Sequence, residues 1–236
     1  MYLENDNDDY VRYKRLRAVS KELNSKLTQC LHKKELYRGA KDLGLLRKKT
    51  LVFNSVDHAS VLMDYCIHNP SGKRSCIDLY IEQSSLEQVS DEMMMLKALR
   101  ESFFSIVQVH RTEKGYLCYV GDVLRDQDIV LADVGLGSSS APGILVAARL
   151  MKIPGSNYFM TTGAPMQIQD KWAIDAIDGI LSNYIDAMES GNLSVTQANS
   201  LGKQIIRVLL RQDNGTLTLA DPEEHEEALR KSHLSH

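Results

Sequence analysis

The spacing of apolar residues along this chain changes twice, from helical to extended near residue 103 and back to helical near residue 170. Over residues 10–31, Leu16, Val19, Leu23, Leu27 and Leu31 recur three and four apart, which predicts one long amphipathic helix. A second helix over 35–43 ends at Gly44, because glycine accepts the positive φ of a C-terminal cap. Ser55 caps a third over 56–68, with Val56, Ala59, Leu62, Met63 and Cys66 on its buried side. Residues 69–75 read as a loop and 77–83 as a helix. Ser84 and Glu87 have the spacing of a capping box for a further helix, whose core stripe is Leu86, Val89, Met93, Leu96 and Leu99.

Five strand-like runs follow, at 103–110, 116–120, 129–134, 144–153 and 158–168. Turn-forming segments separate them, and Pro154-Gly155 has the order of a type II turn. Helical spacing returns with Ala173, Ile177, Leu181, Tyr184 and Met188, and again with Ala198, Leu201, Ile205 and Leu209 after a capping box at Ser194 and Gln197. The expected fold class is α+β, with a helical N-terminal region, a small antiparallel β meander or barrel-like module, and two C-terminal helices. The organisation that follows is a mainly helical region at 1–100 with a basic segment at 10–49, a β module at 101–169 and a helical pair at 170–212. A turn and a mobile acidic tail are expected at 213–236.

Composition adds little to this picture, since 43% hydrophobic and 25% charged residues are ordinary for a globular chain of 236 residues. Cys30, Cys66, Cys76 and Cys118 form no CxxC pair and read as reduced core thiols. The acidic N-terminus lacks the blocks of a signal peptide, and no stretch approaches the roughly 20 apolar residues of a membrane span. A cytoplasmic protein without membrane association is expected.

Charge changes the picture more. The net charge of -3 conceals a basic segment, because residues 10–49 hold 13 Lys and Arg against Glu22, Glu35 and Asp42. Residues 50–236 carry 15 basic and 24 acidic side chains. Lys14, Arg17 and Lys21 follow one another on the helix side opposite Leu16, Leu23 and Leu27, which predicts a basic ridge over a buried stripe. Lys33, Lys34, Arg38, Lys41, Arg47, Lys48 and Lys49 extend it. Such a ridge can neutralise phosphates, so nucleic acid is one expected partner; an acidic protein surface or a second subunit of the same chain is the other.

Other candidate motifs are weaker. The run from Ile129 into Gly135 and Gly137 resembles a nucleotide-binding turn, yet Ser140 stands where the third glycine belongs and no acid occurs between Val134 and Gln169. The expectation is a glycine loop between two strands. Ser138 and Ser139 lack the following glycine of a nucleophile elbow. Cys30-Leu-His32 and Cys66-Ile-His68 look like half zinc sites, but residues two apart on a helix diverge, so buried cysteine beside exposed histidine is expected instead. Asp122, Asp126, Asp128 and Asp133 with Gly135 and Gly137 define an alternative pocket for an enzyme of undefined reaction, supported if His58 or His110 joins them. No metal, cofactor or catalytic residue is assigned. The leading expectation is a binding protein that meets nucleic acid through its basic N-terminal face, with an adaptor or oligomerising subunit as the alternative.

Overall fold

A computed structural model describes residues 5–48, 50–53, 56–70, 72 and 74–212. Lys49, the Ser55 cap, the 213–215 turn and the acidic tail lie outside the described residues. In chain order the elements begin with α1 (Asn5–Cys30), α2 (Lys33–Leu43), the short strands β1 (Leu46–Arg47) and β2 (Thr50–Leu51), α3 (Val56–His68), α4 (Cys76–Gln83) and α5 (Asp91–Arg100). There follow β3 (Phe103–Glu113), β4 (Leu117–Asp122), β5 (Gln127–Ala132), α6 (Val134–Ser139), β6 (Leu145–Lys152), β7 (Phe159–Thr161) and β8 (Met166–Ile168). The chain then forms α7 (Lys171–Leu181), α8 (Ile185–Glu189) and α9 (Val195–Leu209).

The α+β class and the barrel-like module are as the spacing predicts. Strands β3, β4 and β5 form an antiparallel meander, β6 pairs antiparallel with β3, and β7 bridges β6 and β5. That ring closes a five-stranded barrel, with β8 added along β6. Closure removes the exposed edges that an open sheet would present. The β5–β7 pairing at Leu131 and Phe159 is parallel, so the module is not wholly antiparallel. Val107, Val109, Cys118, Val120, Leu131, Val146, Ala148 and Leu150 fill its interior.

Several boundaries differ from the pattern. Ser90, not Ser84, caps α5, and Val89 is 80% exposed, so the helix begins later than the apolar spacing suggests. The last strand run divides into β7 and β8, and the C-terminal pair is three helices, because Ser182 interrupts the helical run before α8. Cys30 is exposed while the other three thiols are buried. Burial pushes the Cys66 thiol up to about 11.

The expected glycine loop at 135–143 is largely α6, a short helix whose first turn Asp133 caps by accepting from Leu136 N at 3.1 Å. Leu136 joins the buried cluster that fills the barrel, with Val107, Val109 and Leu131. A Cβ on Gly137 would come within 2.6 Å of the Tyr116 backbone, closer than real side chains approach. Gly137→Ala therefore is expected to cost about 1–3 kcal/mol through overpacking, read as a lower denaturation midpoint; an unchanged midpoint would refute this close seating.

The helices pack on the barrel in two groups. The α1, α4 and α5 residues Leu16, Leu23, Leu27, Ile77, Met95 and Leu96 share a core with Tyr116, Leu117 and Met160, while α2, α3, α7 and α9 share another with Ile106, Ala147 and Ile168. No described helix is long and apolar enough to cross a membrane.

Candidate anion-binding pocket

The basic residues of 10–49 do not form one continuous ridge. Arg17 is 4% exposed and lies on the buried face with Tyr13, Ser20 and Asn24. Its guanidinium donates to the Thr161 carbonyl at 2.5 Å and stands 3.6 Å from the Asp133 carboxylate. Arg17 is buried because positions 16 and 17 are only about 100° apart on a helix, and α1 buries a wide arc where helices and barrel both cover it. Arg17 is thus withdrawn from solvent. Lys14 lies over the Tyr10 ring at 5.5 Å, and Lys21 is exposed.

On α2, Arg38 is neutralised by Glu35 at 3.0 Å and Asp42 at 2.9 Å. Lys33, Lys34 and Lys41 remain exposed, as do Arg47 and Lys48 in the following hairpin. His32 is the N-cap of α2, where its Nδ1 accepts from Lys34 N, which accounts for the first Cys-x-His pair without metal. His68, in the second, is buried rather than exposed. Among the described residues no group of three His, Cys, Asp or Glu is arranged to hold a metal ion.

The alternative pocket divides. Asp122, Asp126 and Asp128 line an open cleft of about 470 Å³ together with His110, which a bulge in β3 turns over Gly121. Asp122 is spent there on structure: it accepts from Ser105 Oγ, from Leu124 N at 3.0 Å and from Arg125 N at 3.2 Å. Asp128 is almost fully exposed and lies 3.4 Å from His110, a surface contact of small worth in water. Asp133, Gly135 and Gly137 lie elsewhere, in the cap and body of α6. The Ser138 and Ser139 hydroxyls donate back to the Val134 and Gly135 carbonyls, as ordinary helix serines do. Arg149, within the acid-free stretch 134–169, is buried against the Asp64 carboxylate.

A third arrangement joins distant segments. Gly44, at φ 76, ends α2 and turns the chain so that Leu45 N donates to Ala40 O at 2.8 Å and Leu45 O accepts from Val52 N at 2.9 Å. This places Arg47 beside the C-terminal end of α9, where Arg207 and Arg211 project four residues apart. Gln212 anchors that end by accepting from Gln169 N at 3.2 Å and donating to Gln167 O at 3.2 Å. Between them is a cavity of about 410 Å³, lined also by the buried Leu43, Leu45 and Leu210 and by His58, 5% exposed. No described acid lines it. Among the described residues none of the three guanidiniums has an ion-pair or hydrogen-bond partner. Sequence reading included Arg47 and noted His58 but missed Arg207 and Arg211, whose only local signal is their four-residue spacing off the apolar stripe of α9.

A family model, a family of unknown function designated DUF7986, matches residues 7–199. The chain belongs to that family. The DUF7986 match takes in the whole barrel, Arg47 and His58, and ends in the first turns of α9, before Arg207 and Arg211. No curated protein and no solved structure matches.

Proposed function

We propose that this protein is a binding protein for a polyanion, nucleic acid in particular, and that its contact surface is the α2–β1–α9 end rather than α1. The observation that carries the reading is the convergence of Arg47, Arg207 and Arg211, all unpaired among the described residues, on a cavity that no described acid lines. Uncompensated guanidiniums favour anions because their fixed donor forks match phosphate oxygens. Lys34 and Lys41 lie seven residues apart, about 10 Å along one side of α2, and lead toward the cavity, so several phosphates can be met in succession.

Fluorescence anisotropy with a single-stranded oligonucleotide across a salt series tests this. Affinity is expected to fall linearly in log-log form with salt, and R47A/R207A/R211A is expected to reduce the slope by about 2, since each single-strand phosphate contact contributes roughly 0.7. No binding at about 50 mM salt, or a slope indifferent to the triple substitution, would overturn the reading and favour an adaptor that meets an acidic protein surface.

A further inference from the structure

We infer that the arginine cavity takes the terminal phosphate of a nucleic-acid strand, a phosphomonoester, rather than a phosphodiester within the chain; this inference rests on the polyanion reading above. Three features separate the two ligands. The first is charge. An internal diester carries one negative charge, whereas a monoester approaches two near neutral pH and offers three terminal oxygens. Arg47, Arg207 and Arg211 supply three positive charges from two separate parts of the chain, an excess for a diester and a closer match for a dianion with more acceptors.

The second is shape. Buried Leu43, Leu45 and Leu210 line the cavity beside the arginines, so part of its wall is apolar, which suits a group that ends there better than a charged strand that enters and leaves. The volume of about 410 Å³ accommodates a phosphate with part of its sugar. The third is location. The lysines of α2 flank the cavity instead of continuing on both sides of it: Lys41 lies one turn from its wall at Leu43 and Gly44, and Lys34 two turns farther. A strand whose end is seated among the arginines can run back along α2, with its next phosphates near Lys41 and Lys34.

The direct comparison uses the full chain and one oligonucleotide sequence prepared with a phosphate at the 5′ end, at the 3′ end, or at neither. At least one phosphorylated form is expected to bind about tenfold more tightly than the hydroxyl form, equivalent to about 1.4 kcal/mol. In R207A/R211A that preference is expected to vanish while residual salt-dependent binding through the α2 lysines persists. R207K/R211K, which retains charge but not the guanidinium fork, is expected to keep only part of it. Inorganic phosphate is expected to compete away the preference before it displaces the hydroxyl form. Equal binding of all three oligonucleotides to the wild type, or a preference that survives R207A/R211A in protein with an unchanged circular dichroism spectrum, would overturn the inference and leave the polyanion reading intact. Failure of every oligonucleotide to bind would overturn both.

Discussion

Replacing Arg17 by alanine is expected to lower the unfolding free energy by about 3–5 kcal/mol, the cost of leaving a buried carboxylate without its cation. The partners are close to fully buried, with side chains 4% and 2% exposed at Arg17 and Asp133. Asp133 has three tasks at once: it faces the Arg17 guanidinium, accepts from Thr161 Oγ1 at 2.6 Å and caps α6 at Leu136 N. Beside it, Tyr13 Oη accepts from Val134 N at 3.1 Å, and burial raises the Tyr13 hydroxyl well above its usual pKa, so it stays protonated. Arg17 therefore joins α1 to the point where β5 becomes α6 and to the end of β7. Urea denaturation of Arg17→Ala beside Lys33→Ala, an exposed control expected to stay within about 0.5 kcal/mol, measures this. Equal stability of the two variants would show that Arg17 does not hold α1 to the barrel. A further consequence concerns binding experiments: substitutions at α1 that include Arg17 confound loss of affinity with loss of fold.

The second large effect is an asymmetry at Asp64 and Arg149, which join α3 to β6. Asp64 accepts from Thr162 Oγ1 at 2.8 Å and lies 3.6 Å from Arg149 Nε, while Arg149 also donates to the Ser102 carbonyl at 3.3 Å. His68 stands 3.7 Å from Asp64, but burial and the nearby Arg149 hold it neutral, far below its usual pKa, so Arg149 is the cation that balances the carboxylate. Burial already raises the Asp64 pKa, with Arg149 and Thr162 opposing the rise. Without Arg149 the carboxyl can take up a proton and remain buried as a neutral acid. Without Asp64 the guanidinium has no comparable escape, because it stays charged at any ordinary pH.

Asp64→Ala is therefore expected to cost more than Arg149→Met, about 3 kcal/mol against about half that near neutral pH. The Arg149→Met protein should also become pH-sensitive. A carboxyl whose folded pKa is raised binds more protons in the native state, so its stability is full below the unfolded value and is lost as pH rises through the folded one, at up to about 1.4 kcal/mol per pH unit. Denaturation midpoints between pH 4 and 8 are expected to fall with rising pH in Arg149→Met relative to wild type. A flat difference, or the opposite order of costs, would show that Asp64 does not retain its charge through Arg149.

The helix and strand content of this chain, and the position of its barrel, were legible because those depend on local spacing and caps: Gly44 ends α2, Ser194 opens α9, and the change of period at Phe103 marks β3. Local pattern served less well at Val89 and at 135–139, where an apolar residue stays exposed and a glycine-rich run coils into α6. The candidate site was only partly legible. Arg47 belonged to a visible cluster of charge, but Arg207 and Arg211 lie about 160 residues away, and only the packing of α2 against α9 brings them to one cavity. The same limit explains Arg17. A helix facing one partner has a narrow buried stripe and a charged back that spacing reveals; α1 is enclosed on a wider arc, so whether its arginine meets solvent or Asp133 depends on the neighbours that tertiary folding supplies.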